Sequence, residues 1–270
     1  MPISRRHFVL TSAAVALAGG PARAQTAAEA AASLAPGGRL RVAINLGNTV
    51  LAQRNSQGEL TGVSVILARA LAERLKLPLD LIPFQAAGAV FDALEKDGWD
   101  LAFLAVEPER ATKIDFSPPY VSIDGTYMVR SNSKFRTTAD LDQAGVRITA
   151  ARGSAYDLYL TRSLKHAEIV RSPTSPASMD QFVSDGLDAA AGVRQILEDR
   201  ARGNPDLLVL KDSFTSINQA VGVPRGRSTG AAYVKSFLEE MKASGTLRKA
   251  LETSGQTGVV VVPTANAATK

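Results

Sequence analysis

Apolar positions along this chain fall into two alternating kinds of run. Leu40-Arg41-Val42-Ala43-Ile44 is short, nearly continuous and bounded by glycines, which predicts a strand. Val63, Ile66, Leu67, Ala70, Leu71 and Leu75 then recur at helical spacing and predict an amphipathic helix over 63–75. The alternation continues with a strand over 79–83, a helix over 89–96 closed by Asp97-Gly98, and a strand over 99–106. Strands and helices alternating at this spacing imply βαβ units and a parallel sheet.

A second set follows. Strands are predicted over 146–150, 168–171, 187–191 and 207–210, with helices over 155–164, from Ser175-Pro176 to 185, and over 194–201. Ser175-Pro176 supplies a cap and a first-turn proline. Between the sets, 120–130 is apolar and β-branched, long enough to cross from one unit to the other, and 220–224 brings the chain back. Helices over 231–242 and 246–253 and a proline-stopped tail complete the chain. The expected fold class is α/β, two doubly wound lobes joined by two crossing strands. Lobe 1 takes 39–124 and 219–255, lobe 2 takes 125–218, and 256–270 is a C-terminal tail. Such a pair forms a cleft between sheet edges, where ligands of open α/β folds bind, and points to a hinge-closing binder.

The N-terminus reads differently. Arg5-Arg6-His7-Phe8 precedes an apolar run, and Ala22-Arg23-Ala24 follows it. A charged head, a hydrophobic middle and a small-x-small site form a removable export signal over 1–24, cleaved after Ala24. The paired arginines resemble a twin-arginine signal. Residues 25–38, rich in alanine, are expected to be a flexible leader. Export implies a periplasmic protein.

Composition narrows the chemistry. The chain carries 31 basic and 26 acidic side chains, and loss of Arg5, Arg6 and Arg23 with the signal leaves a net charge of about +2 rather than +5. No basic cluster interleaved with aromatics is present, so nucleic acid is not an expected partner. Cysteine is absent, which excludes disulfides and thiolate metal sites. His166, alone after the signal, reads as a solvated helix-end residue and offers neither a zinc cluster nor a Ser-His or Cys-His pair. No metal, nucleotide or phosphate-cradle motif appears, so no cofactor is expected. Trp99 reads as core.

Five motifs, in order, carry a family resemblance. They are Asn55-Ser56-Gln57-Gly58-Glu59-Leu60-Thr61-Gly62, the Trp99-Asp100-Leu101-Ala102 strand with Pro108-Glu109-Arg110-Ala111 and Asp115-Phe116-Ser117-Pro118-Pro119-Tyr120, Gly145-Val146-Arg147-Ile148 with Gly153-Ser154, Gly186-Leu187-Asp188-Ala189, and Ser244-Gly245-Thr246-Leu247. From about 39 to 255 the chain resembles the family 3 solute-binding proteins of polar amino-acid ABC importers. The resemblance implies a type II periplasmic-binding-protein fold, a monomer, a small-molecule ligand and an inner-membrane ABC permease as partner.

It also implies site residues. Arg110 matches the family arginine that pairs with the ligand carboxylate, a role its planar fork suits; the alternative is an ion pair with Glu107 or Asp115. The loop before it, Ala105-Val106-Glu107-Pro108, lacks the family's hydroxyls and puts the carboxylate of Glu107 close by. Asn45 and Asn48 stand where an acid and an aromatic are usual, and serve either as amide contacts or as turn residues. Ser154 and Ala155 open a helix whose N-terminus can hold an anion or simply be capped, and Tyr156 on its first turn is a cleft contact or a packed tyrosine. Phe84, ending a strand at the cleft edge, is a contact candidate. Val193 occupies the position of the family's ammonium-binding acid, with Arg194 beside it as either a solvated first-turn residue or a second cleft cation. Two cations and no acid would favour an anionic ligand. The competing readings are a periplasmic enzyme resembling cyclohexadienyl dehydratase, with Glu107 as its acid, and a sensory or accessory binder.

Overall fold

The alternating pattern is realised strand for strand in the computed structural model, which describes residues 26–256 and 258–264. The export signal lies outside the described residues. In chain order the strands are β1 (Leu40–Asn45), β2 (Gln53–Arg54), β3 (Leu60–Thr61), β4 (Leu79–Phe84), β5 (Leu101–Ala105), β6 (Ile114–Phe116), β7 (Val121–Arg130), β8 (Arg147–Ala151), β9 (Glu168–Ser172), β10 (Ala189–Val193), β11 (Leu207–Val209), β12 (Thr215–Pro224) and β13 (Val260–Val261). The α-helices are α1 (Ala27–Leu34), α2 (Val63–Leu75), α3 (Ala87–Ala93), α4 (Pro108–Ala111), α5 (Ala155–Ser163), α6 (Ser175–Ser184), α7 (Arg194–Ala201), α8 (Ser228–Ala243) and α9 (Thr246–Thr253). None of them is long and apolar enough to cross a membrane.

The main strands run in the order β4-β1-β5-β12-β7-β10-β8-β9. β1, β4 and β5 are parallel, as are β8, β9 and β10, so each lobe has its own parallel part of one continuous sheet. β7 and β12 are antiparallel to each other over Val121–Gly125 and Thr215–Gln219. Beyond that shared stretch they part. β12 continues along β5 and β6, while β7 continues along β10 and β11. Two ten-residue strands thus each serve both lobes, the connection expected of a hinged type II fold. Gly125 marks the divergence: a Cβ there would lie 2.8 Å from the Thr215 methyl.

Local chemistry sets the element ends. α2 starts after Gly62, whose φ of +105° and tight packing under the Leu51 carbonyl exclude a side chain. It stops where Lys76 turns left-handed. α6 is capped by Thr174, one residue before the predicted Ser175, because the Thr174 hydroxyl reaches the Ala177 amide. α3 begins two residues earlier than predicted and ends in a 3-10 turn at Lys96. Trp99 is fully buried and donates to the Val90 carbonyl at 2.8 Å. It anchors the core on one face of the first sheet with Val90, Leu104 and Ile114. Met128, Phe182, Leu187 and Leu197 form the corresponding core of the second lobe. His166 is exposed, as its sequence context suggested.

Two expectations need correction. The supposed flexible leader holds α1, closed by a Thr26–Glu29 capping box, with Ala30 and Leu34 fully buried. Leu34 presses on Gly230 of α8, where a Cβ would approach it to 2.7 Å. The alanines that read as featureless are small because two helices meet there. The returning strand β12 also starts at Thr215 rather than at 220. Its first half alternates polar and buried residues and so lacks an apolar run.

Candidate functional site

The site forms where the first lobe's β5 and the second lobe's β8 end. After β5, Pro108 fixes the first turn of α4, and this single turn swings Arg110 back under the strand. Arg110 is 1% exposed. Its Nη1 donates to the Ala105 carbonyl at 2.9 Å, and its Nη2 crosses the cleft to the Gly153 carbonyl at 2.8 Å. Nε is buried with no partner among the described residues. Burial pulls the guanidinium down to about 10, against the opposing pull of Glu107 and Glu109, so it remains a cation at neutral pH.

On the second lobe, Gly153 takes a left-handed φ of +67° between β8 and α5. Ser154 then caps α5 by accepting from the Asp157 amide, and Asp157 returns a carboxylate oxygen to the Gly153 N–H at 2.8 Å. Tyr156 is buried, and its hydroxyl lies 3.0 Å from that of Ser175, which donates to the Gly47 carbonyl across the cleft at 3.2 Å. The lobes also touch through backbone at Gly88 and Gly153. The conformation is therefore closed.

Between the lobes lies a cavity of ≈ 40 Å³. On that measure a single water needs about 10–15 Å³, so the space holds only a few small atoms in this closed form. Asn45, Asn48, Arg110, Ser154, Ala155, Tyr156 and Val193 all line it, so seven of the ten sequence candidates are brought together. Asn48 is buried and its Oδ1 has no partner among the described residues. Asn45 lines the wall while its Oδ1 accepts from the Gly47 amide, so the turn role and the wall position coexist.

Three candidates fall outside the lining. Phe84 packs beside Val90 and Trp99, because the last residue of β4 points to the hydrophobic face. Glu107 is turned to the second lobe, where Arg162 of α5 stands 2.7 Å from its Oε2. This is an ion pair without hydrogen-bond alignment. Arg194 points away to the hinge, donating to Asp124 at 3.2 Å and to the Leu210, Lys211 and Asp212 carbonyls at 2.9–3.1 Å. It is neither a cleft cation nor a solvated residue, and it fastens the segment that leads into β12.

The structure adds residues that the pattern did not single out. Gly47, Arg152, Ser175 and Gln219 line the cavity. Arg152 stands directly before the Gly153-Ser154 motif, and that adjacency was its available signal. Gln219 was hidden in the polar half of a crossing strand. Among the described residues, no aspartate, glutamate or histidine lines the cavity. The charged residues on its wall are Arg110 from the first lobe and Arg152 from the second, the first buried and the second exposed.

A probable histidine-binding protein from Neisseria gonorrhoeae is 24% identical over 248 residues, 89% of this chain and 91% of that protein. Among solved structures, a mutant of ArgBP from T. maritima superposes with a TM-score of 0.73 at 21% identity, covering 84% of this chain and 99% of that one. An ancestral amino acid-binding protein, described as a precursor of cyclohexadienyl dehydratase, superposes at 0.70 with 24% identity over 82% of this chain and 96% of its own. Residues 40–256 match the family model of the bacterial extracellular solute-binding proteins, family 3, and the chain belongs to that family.

Proposed function

We propose that this chain is an exported periplasmic binder that closes its two lobes around a small carboxylate-bearing solute and presents it to an inner-membrane ABC permease. The observation that carries the reading is Arg110: a buried guanidinium, charged at neutral pH, with its Nε aimed at no protein acceptor and its side chain on the cavity wall. A carboxylate supplies the missing acceptor and neutralises the charge in one contact. The Neisseria gonorrhoeae relative is described as histidine-binding, and histidine bears a carboxylate.

The wall also argues about the rest of the ligand. Val193 lines the cavity where the family acid stands, and Glu107, the alternative partner for an ammonium, is engaged by Arg162. An ammonium enclosed here would lose its water without gaining a carboxylate. An organic acid therefore fits better than a neutral zwitterionic amino acid. Binding is favoured over catalysis, since Glu107, the one acid considered for an enzyme, is paired with Arg162. A thermal-shift screen of organic and amino acids on the purified protein tests this, because a ligand of the folded state raises its melting temperature. Carboxylates should be the hits, and Arg110→Ala should lose them. Hits confined to compounds without a carboxylate would overturn the reading.

A further inference from the structure

The second cleft cation sits at a different position from the one the sequence suggested. Arg194 is committed to the hinge, but Arg152 lies on the cavity wall, and its guanidinium is exposed with no hydrogen bond or ion pair among the described residues. The Arg110 Nη2 bonds to the carbonyl of Gly153, the very next residue, so the backbone that carries Arg152 lies against Arg110 across the cleft. Arg152 and Arg110 also border an outer pocket of ≈ 310 Å³ that opens between the lobes, with Asp92 and Glu109 on its wall. An anionic group reaching past Arg152 meets those carboxylates, which confines a second negative charge to the junction that Arg152 occupies.

Resting on the carboxylate reading above, we propose that the solute is a short dicarboxylate dianion, with one carboxylate in the cavity on Arg110 and the other extending to Arg152 at its mouth. The two lobes each contribute one cation, so the dianion bridges them and favours closure, whereas a monocarboxylate leaves Arg152 unpaired. An amino dicarboxylate adds an ammonium for which the wall offers neutral acceptors such as Asn48 Oδ1 but no carboxylate.

Calorimetric titration of the purified protein with malonate, succinate and glutarate, against propionate, butyrate and aspartate, tests the proposal. At least one dicarboxylate should bind about tenfold or more tighter than the monocarboxylates and aspartate. Arg152→Gln should bring the ratio close to one, and Arg152→Lys should restore part of it through charge. Arg152 is exposed and unpaired, so unliganded melting temperatures should match the parent protein. Equal affinity for succinate and butyrate, with both lost in Arg110→Ala, would overturn the two-arginine inference and leave the carboxylate reading standing. A dicarboxylate preference that survives Arg152→Gln would overturn it too. Failure of every carboxylate, with Arg110→Ala indistinguishable from the parent, would overturn both.

Discussion

Closure of the cleft can be blocked by one methyl group. Gly88 lies in α3 of the first lobe, and a Cβ built on it would sit 2.9 Å from the Arg152 carbonyl oxygen and 3.3 Å from the Gly153 Cα. Both are backbone atoms of the opposite lobe and cannot rotate aside. Gly88→Ala therefore forces the lobes a few tenths of an ångström apart, a strain of about 1–3 kcal/mol borne by the closed state alone. The open state has room for the methyl. Affinity that depends on closure should fall by about 5- to 150-fold. Within its own lobe the change is harmless or better, since alanine favours a helix over glycine by up to about 1 kcal/mol. The same variant should therefore weaken ligand binding, keep or raise the unliganded melting temperature, and enlarge the radius of gyration in solution scattering. Calorimetry and scattering on one preparation decide it. Affinity within about twofold of the parent at an unchanged radius would refute closure at this contact.

Arg110 gives the site a pH signature. Its folded-state value is lowered by burial to about 10, and anion binding needs the cation, so affinity should be flat through neutral pH and fall as pH rises past about 10. The sign for stability is opposite. The cost of burying this cation is fully present below about 10 and is relieved above it, so lost binding there would not report lost folding through this group. Arg162→Ala should cost less than about fivefold in affinity and less still at high salt, because Arg162 is 44% exposed even though Glu107 is not. Leu34→Ala should lower unfolding free energy in urea by about 2–5 kcal/mol, as expected for a fully buried leucine. A loss below about 0.5 kcal/mol would mean that α1 does not belong to the folded core.

How much the sequence revealed follows from the physics of each signal. Elements with a buried stripe were legible to the residue, as at α2, α7 and α9, because burial writes a period into the chain. Helix α1 was not. Its contact face is Ala30 and Leu34 in an alanine-rich run, and one large apolar residue among alanines carries little periodic contrast. The first half of β12 was missed for the opposite reason, since its polar members Thr215, Ser216 and Asn218 break an apolar run while the backbone still pairs. At the site, motif spacing located Arg110, Ser154 and Val193 because the loops that carry them follow fixed strand ends. It did not orient side chains. Glu107, Phe84 and Arg194 stand at element ends near the cleft and point elsewhere, turned by an ion pair, a core and a hinge segment respectively. Direction, unlike position, depends on partners that lie far away in the chain.

The central claim is that Arg110 holds a carboxylate in a cavity with no carboxylate to pair with an ammonium among the described residues. Propionate and alanine share a carbon chain and a carboxylate and differ by that one group, so their calorimetric comparison isolates it. Propionate should bind more tightly than alanine, and Arg110→Ala should remove most of its binding, a loss of roughly 2–5 kcal/mol for an unpaired buried charge. Micromolar or tighter binding of alanine, exceeding that of propionate and unchanged in Arg110→Ala, would contradict the account.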